Sequence, residues 1–204
     1  MQKIMFNDRY GLTQAVIEGR KTMTRRLIPD EFFGLTWDTR GNTLVYENEY
    51  GDFIDVRLSK YTRYKVGEIV AVAQNYFSTY DESKWENGIW YNEFADGSDI
   101  TNHAGWINKM FVKAEYMPHQ IRITGIRCER LQDISDAECL KEGVRVEFAR
   151  NGSPMYYYFD TKRWREVWFD TPREAFAALI DKVSGRGTWA SNPWVVVYEF
   201  ELVK

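Results

Sequence analysis

Gly19-Arg20-Lys21-Thr22-Met23-Thr24-Arg25-Arg26 places four positive charges within seven residues, in a chain of 204 residues whose formal net charge is only -3. Threonine hydroxyls and a lysine amine lie among these charges. An anion-binding or nucleophilic site needs both fixed charge and a group that handles a proton. This basic stretch is therefore the candidate functional site, and the alternative is a solvated basic surface with Thr24 in a turn.

The residues before the basic stretch predict a short strand followed by a helix. Residues 3–6 are apolar enough for the strand, and Asn7 or Asp8 is suited to cap the helix. Leucine, alanine and valine recur at helical spacing after that cap, and Gly19 is suited to the position just past the helix end.

The basic stretch itself is expected to be extended. In a regular strand Lys21 and Arg25 point to one side, whereas Thr24 points to the other. Lys21 and Thr24 can therefore act together only if the backbone bends or bulges near Met23.

Further along the chain, the sequence indicates several strands and few helices. Two capping boxes, Ser135–Glu138 and Thr171–Glu174, predict the starts of two helices, the first ending before Gly143. A change in the alternation of apolar residues at Gly125 predicts a bulge. Strands are expected at 43–46, 53–56, 67–73, 119–130, 156–159 and 194–203.

No alternation of strand and helix typical of a parallel sheet is present, which favours an α+β domain built on a small, curved or closed mixed sheet. Irregular insertions are expected near 28–65 and 77–110, within one domain that spans 1–204. Aromatic residues in the insertions either cover a groove or anchor the loops.

Composition excludes several classes of protein. A negative net charge argues against coating duplex DNA by charge alone, so any contact with nucleic acid has to be local. Cys128 and Cys139 lack metal-ligand spacing, and with only His103 and His119 besides them we expect no metal site and no cofactor. No apolar run is long enough for a membrane span or signal peptide, which predicts a cytoplasmic protein without a membrane partner.

Lys21, Thr24 and Glu142 are the candidate catalytic residues. Neighbouring arginines disfavour the protonated Lys21 amine, which makes it a candidate base, and Thr24 is a nucleophile only within reach of such a base. Glu142 is predicted at a helix C-terminus, where the helix dipole disfavours a carboxylate by about 0.3–1 kcal/mol. A general acid needs an environment that favours the protonated carboxyl. The alternative is that Lys141, the preceding residue, neutralises the Glu142 carboxylate.

Six ordered segments of the chain resemble the ASCH-domain proteins of the PUA-like superfamily. The basic stretch is similar to the family signature G-R-K-T-x-T-R-R, and the match spans nearly the whole chain apart from the two insertions. The other similar segments are Gly67–Val70, Lys113 with Met117-Pro118, Ile126–Ser135, Glu142-Gly143, and Trp189 with Asn192–Val195.

This resemblance implies a PUA-like pseudo-barrel with a cleft, in a long member of the kind found in bacteriophages and prophages. It implies binding of RNA or a modified nucleoside, with substrate contacts from Arg20, Arg25, Arg26, Trp189, Asn192 and Trp194. Small bacterial members are N4-acetylcytidine amidohydrolases, and their lysine, threonine and glutamate fall on Lys21, Thr24 and Glu142. These would act as base, nucleophile and general acid/base.

The chain departs from longer members after Gly67, where Ala71-Val72-Ala73-Gln74 replaces a W-V-R-E run. An Arg–Glu pair of the cleft is therefore expected to be missing. Three hypotheses follow: binding of RNA or a nucleoside, which we rank first; hydrolysis of an N-acylated cytidine-type base; and a structural role as a phage accessory protein that contacts another protein.

Overall fold

The computed structural model describes residues 1–28, 34–39, 41–59, 62–79 and 99–203. It is an α+β protein with one larger mixed sheet, two small antiparallel sheets and short helices. The chain divides into two compact units. One comprises Met1–Phe6, Ile69–Ile121 and Leu202–Lys204, and the other comprises Asn7–Glu68 and Arg122–Glu201.

Helices and strands alternate irregularly along the chain. The helices are α1 (Leu12–Ile17), α2 (Tyr76–Thr79), α3 (Asp136–Lys141), α4 (Pro172–Ser184) and α5 (Thr188–Ser191). The strands are β1 (Lys3–Ile4), β2 (Met23–Leu27), β3 (Thr36–Asp38), β4 (Thr43–Glu47), β5 (Phe53–Asp55), β6 (Ile69–Val72), β7 (Gln120–Arg130), β8 (Arg145–Phe148), β9 (Pro154–Asp160), β10 (Arg165–Phe169) and β11 (Trp194–Leu202).

Single turns of 3-10 helix connect several of these elements. They lie at Asp8–Tyr10, Val56–Leu58, Ile100–Asn102, Ala104–Trp106, Lys109–Phe111, Ala114–Tyr116 and Leu131–Asp133. No described helix is both long enough and apolar enough to cross a membrane.

The largest sheet has five strands in the order β1-β6-β7-β11-β2. The pairing of β11 with β2 at one edge is antiparallel, whereas the pairing of β1 with β6 at the other edge is parallel. The closed small barrel that the resemblance implies is not found among the described residues. Closure would require the outer strands β1 and β2 to pair, and β1 has only two residues to offer.

The larger unit also contains two three-stranded antiparallel sheets. In the order β3-β4-β5, Val45 lies opposite both Thr36 and Asp55, which confirms the hairpin predicted in the first insertion. The other sheet has the order β10-β9-β8 and includes the strand predicted at 156–159. The aromatic-rich part of the second insertion, residues 80–98, lies outside the described residues.

The smaller unit has its own apolar core. Lys3 and Ile4 of β1 lie opposite Ala71 and Val72 of β6, and Val70 to Ala73 are all buried. The side chains packed around this strand include Tyr76 of α2, together with Val112, Ala114 and Met117 from or next to later 3-10 turns. The buried strand predicted at 67–73 is therefore confirmed.

Two predicted helix starts are confirmed, and a third is wrong in its detail. Ser135 and Thr171 each accept a hydrogen bond from the backbone three residues on, and each forms a complete capping box. Asn7 and Asp8 do not cap α1 directly, because a 3-10 turn intervenes and Gly11 takes the N-cap position. Asp8 instead accepts a hydrogen bond from the Thr13 hydroxyl in the first turn of α1.

Gly143 ends α3 in the left-handed region, with φ of 105°. A Cβ at this position would lie 2.9 Å from Leu12 Cδ2 and 3.7 Å from Lys21 Cδ. The close approach of the chain after α3 to α1 and to the basic stretch therefore requires glycine.

The substitution Gly143→Ala should lower the free energy of unfolding by about 2–4 kcal/mol, because it adds a steric clash to the backbone cost of a left-handed conformation. Gly152→Ala is the matched control, since Gly152 also has positive φ but no atom within 4 Å of its added Cβ. Urea unfolding should show a markedly smaller loss for Gly152→Ala. Equal losses would mean that the contact with Leu12 is unimportant.

Candidate functional site

The basic stretch begins as a tightly held connection between α1 and β2. Gly19 follows α1 with φ of 71°, as predicted for the position past the helix end. The Lys21 N–H donates to the Ala15 carbonyl at 2.9 Å, and the Thr22 N–H donates to the Lys141 carbonyl at 3.0 Å. These bonds fix Lys21 between the ends of α1 and α3, where its side chain is only 2% exposed.

Lys21 and Glu142 form a buried ion pair. The Lys21 Nζ donates to Glu142 Oε2 at 2.6 Å and to the Glu142 carbonyl oxygen at 2.8 Å. Glu142 is the C-cap residue of α3, so its backbone carbonyl is one of the acceptors that a helix end leaves unpaired. The Lys21 amine thus provides a hydrogen-bond donor for both the free carbonyl at the helix end and one oxygen of the Glu142 carboxylate.

Arg25 is the second cation bound to Glu142. Its Nη1 donates to Glu142 Oε1 at 3.0 Å, so each carboxylate oxygen of Glu142 accepts from a different cation. Its Nε and Nη2 both donate to Glu129 Oε1, and Nη2 also donates to Glu138 Oε2. The arginine side chain is 1% exposed and is enclosed by three carboxylates.

Arg127 extends this network toward the surface. It donates to Glu129 Oε2 at 2.8 Å and also pairs with Glu138 and Glu199. Glu138 is at the same time the capping-box residue of α3, because it accepts from the Ser135 N–H. We refer to Lys21, Arg25, Arg127, Glu129, Glu138, Glu142 and Glu199 as the charge network.

Only Lys21, Arg25 and Glu142 of the charge network are candidate site residues in the sequence. In the sequence, Glu138 is predicted only as part of a capping box, and Glu129 belongs to a segment noted only because it resembles ASCH-domain proteins. One pattern in the sequence points to further members of the network. Arg127 and Glu129 alternate with the buried Cys128, so the two charged side chains lie on the same side of a strand. No pattern in the sequence shows that this side faces β2.

Burial and opposite charge together decide the protonation of these groups. Burial lowers the pKa of Lys21, and Arg26 and Arg25 lower it further, although Glu142 opposes them. The direction is the one that the arginine-rich sequence predicts, but burial is the main cause. For Arg25, burial also disfavours the charge, yet Glu142 and Glu129 outweigh it and raise the pKa. Burial likewise opposes the charge of Glu138, but the Ser135 backbone and Arg25 lower its pKa.

Thr24 lies on the other side of β2. The register of β2 on β11 advances one residue at a time, with Thr24 opposite Tyr198 and Arg25 opposite Val197. Consecutive residues of a strand point to opposite faces, so Thr24 faces away from Arg25 and its partner Glu142. The structure thus brings Lys21 and Glu142 together, and the bend near Met23 that would add Thr24 is not found in this strand.

The remaining arginines of the basic stretch are at the surface. Arg20 is bound to Glu18, two residues before it, and does not contact the charge network among the described residues. Arg26 is exposed and lies opposite Val196, on the Thr24 side of the strand. The basic stretch is therefore not one surface, because Lys21 and Arg25 are buried while Arg20 and Arg26 are exposed.

Trp189 and Asn192 hold the backbone of the larger unit in place. The Trp189 backbone N–H donates to Asp181 Oδ1 at 2.7 Å, and the Trp189 ring packs edge-on against Phe176. Asn192 has a left-handed backbone, with φ of 45°, and its Oδ1 accepts from the Gln132 N–H at 2.8 Å. Both predicted binding residues thus have structural contacts of their own.

Trp194 lines a pocket at the far end of β2. The Arg130 guanidinium lies 4.2 Å from the centre of the Trp194 ring, and Trp37 stacks on it at 5.7 Å with nearly parallel planes. The pocket has a volume of about 600 Å³. Its lining combines apolar, hydroxyl and cationic residues, among them Leu27, Ile28, Arg130, Arg186, Thr188 and Ser191.

The pocket and the charge network are joined through β2. Ile28, just past the end of β2, donates its N–H to the Trp194 carbonyl at 3.1 Å, whereas Arg25 in the same strand is anchored in the charge network. One strand therefore carries both features, with the charged anchor on one face and the pocket at its end.

Within the described part of the chain, no group of histidine, cysteine and carboxylate side chains could hold a metal ion. Cys128 and Cys139 are buried free thiols, and burial raises the pKa of each to about 12. Comparisons with protein-family models, with curated proteins and with solved structures find no match to this chain.

The lowered pKa of Lys21 makes a testable contribution to stability. The folded chain binds fewer protons than the unfolded chain between the lowered pKa and the ordinary value of 10.5, so the free energy of unfolding gains a term that rises with pH across this window. The difference between wild type and Lys21→Met should therefore rise with pH between the lowered pKa and 10.5, by at most about 1.4 kcal/mol per pH unit.

Urea unfolding of both proteins at several pH values measures this difference. The comparison with Lys21→Met cancels the contribution of the cysteine thiols, which titrate in both proteins. A difference that stays constant with pH would show an ordinary pKa for Lys21, and a difference that falls with pH would show a raised one. Either result would contradict the prediction.

Proposed function

We propose that this protein binds RNA or a nucleotide, and that a base and its phosphate occupy the pocket beside Trp194. The single observation that supports this proposal most directly is the combination of Trp194, Arg130 and Arg186 around one cavity. An aromatic ring and apolar side chains suit a nucleobase, and an arginine suits a phosphate.

The size and lining of the pocket agree with such a ligand. A volume of about 600 Å³ lies within the range of small-molecule sites. The apolar side chains of Leu27 and Ile28 offer contact area, while the hydroxyls of Thr188 and Ser191 can fix the orientation of polar groups. Arg130 is positioned by its contact with the Trp194 ring and by a hydrogen bond to the Asn192 carbonyl.

The resemblance to ASCH-domain proteins supports the same class of ligand, and membership of the PUA-like superfamily is part of the proposal. The proposal differs from the sequence expectation in the role of the basic stretch. Lys21 and Arg25 are buried in ion pairs and serve to hold β2, whereas the ligand is placed at the other end of this strand. Of the predicted binding residues, Trp194 is the one that lines this pocket and that the proposal retains.

Cytidine 5′-monophosphate should bind to the wild-type protein, and Arg186→Ala should weaken this binding about tenfold, because a charge-assisted hydrogen bond to phosphate is lost. The same substitution should change the affinity for cytidine much less. Isothermal titration calorimetry measures both ligands.

Arg150→Ala is the matched control, since Arg150 is an exposed arginine that does not line this pocket. It should bind cytidine 5′-monophosphate as wild type does. Absence of binding at millimolar nucleotide, or equal weakening by the two substitutions, would contradict the assignment of the pocket.

A second candidate function is amide hydrolysis of an N4-acylated cytidine. It is favoured by the Lys21–Glu142 pair, in which a buried amine with lowered pKa touches a carboxylate at 2.6 Å. It ranks second because Thr24, the proposed nucleophile, faces away from this pair.

If this second function exists, incubation with N4-acetylcytidine should release acetate, and Lys21→Met should abolish the release. Thr24→Val should retain it, because the Thr24 hydroxyl is on the opposite face of β2 and a water molecule then attacks the amide carbonyl in its place. Acetate is followed by NMR. No release by the wild-type protein would exclude this substrate, and loss of activity in Thr24→Val would show that the strand rearranges around the substrate.

A further inference from the structure

The turn between β9 and β10 presents a tryptophan to solvent. Thr161-Lys162-Arg163-Trp164 connects the two strands, whose last pair is Asp160 with Arg165. The Trp164 side chain is among the most exposed large apolar residues described, at 81%. A single exposed aromatic residue is ordinary on a protein surface, so the backbone conformation and the surroundings of this one carry the argument.

The backbone of Trp164 is in a conformation that tryptophan disfavours. Its φ is 49°, in the left-handed region, where a bulky side chain is an outlier and glycine or asparagine is preferred. Stability alone would therefore place a different residue at this position of the turn. Strain of this kind is found where the surrounding structure imposes a conformation that serves a function.

The rest of the turn is held firmly. The backbone N–H and hydroxyl of Thr161 both donate to the Arg9 carbonyl, while the Arg9 side chain forms a two-pronged pair with Asp160. The Lys162 N–H in turn donates to Asp160 Oδ1. The Trp164 ring itself packs edge-on against Phe159 at 5.5 Å. The backbone of the turn is thus well held, and the contact with Phe159 supports one edge of the ring.

Cationic side chains surround this exposed ring. Lys162, Arg163 and Arg165 are all exposed, and in the part of the chain that the structure describes none of them is in a salt bridge. Glu166 is the acidic neighbour, one residue further along β10. The turn therefore combines a rigid ring with several positive charges, in a chain that is negative overall.

We propose that this turn binds single-stranded RNA, with one base stacked on Trp164 and the adjacent phosphates bound by Lys162 and Arg163. Stacking on an exposed aromatic side chain together with cationic contacts to the backbone is how single strands are bound without sequence preference. This inference rests on the proposed function and extends it, since it makes the ligand an RNA strand rather than a free nucleotide. One ring flanked by cations offers little apolar area for insertion into a membrane.

Trp164→Gly tests the stacking contact without the usual risk of unfolding. Glycine relieves the left-handed backbone, so the temperature of thermal unfolding should be equal to or above that of wild type. The affinity for a fluorescein-labelled decamer of uridylate, measured by anisotropy, should fall about tenfold. The affinity for cytidine 5′-monophosphate should not change.

Phe148→Thr is the matched control. Phe148 is an exposed aromatic residue of the same sheet, 72% exposed, and it pairs with Pro154 at the other end of β9. This variant should bind the decamer as wild type does. A double variant, Lys162→Ala with Arg163→Ala, should bind the decamer with a weaker dependence on salt concentration, because fewer counterions are released.

The outcomes separate this inference from the pocket assignment. Binding of the decamer that is unaffected by Trp164→Gly, or binding of the nucleotide alone, would overturn the inference and leave the pocket in place. Binding of the decamer that depends on Trp164, without binding of the nucleotide, would support the inference and overturn the pocket. If neither ligand binds, both fail. If anionic phosphatidylserine vesicles bind through Trp164 and RNA does not, the turn is a membrane contact and the inference is wrong.

Discussion

Glu142 is the constraint on which the larger unit depends. Its carboxylate is buried between Lys21 and Arg25, and its carbonyl caps the end of α3 through the same Lys21 amine. Removing one partner from a buried ion pair leaves a charge without compensation, at a cost of about 3–5 kcal/mol. The end of α3, the exit from α1 and the start of β2 therefore have to keep their relative positions. Gly143 permits this arrangement, because a larger residue would strike Leu12.

The charge network changes how the basic stretch is interpreted. A run of cations in a sequence is expected to attract anionic ligands, but the cations Lys21 and Arg25 are neutralised by the protein's own carboxylates. The charge network holds β2 in place, and the end of this strand helps to line the pocket beside Trp194. The conspicuous charges therefore position β2, and the pocket at its end is lined by a tryptophan and arginines that are remote from them in sequence.

Local features were the most predictable from the sequence. The capping boxes at Ser135 and Thr171 and the end of α1 at Gly19 depend on hydrogen bonds or backbone angles within a few residues, so short patterns identify them. The start of α1 was predicted less well, because the sequence offers two adjacent polar residues and does not exclude an intervening 3-10 turn. The position of Glu142 at a helix end followed from the same local rules. Its ion pairs with Lys21 and Arg25 did not, because both cations are far from it in sequence.

The sequence by itself determined the α+β class, most strands and the capping boxes of α3 and α4. These depend on local geometry and on the periodicity of apolar residues. The tertiary structure alone decided that the five-stranded sheet stays open, that Glu129, Glu138 and Glu199 join the network, and that Thr24 faces away from it. Strand register decides the direction of Thr24, the packing of helix α3 brings Glu138 to Arg25, and the outer strands β1 and β2 leave the sheet open. All three depend on contacts between elements that lie far apart in the sequence.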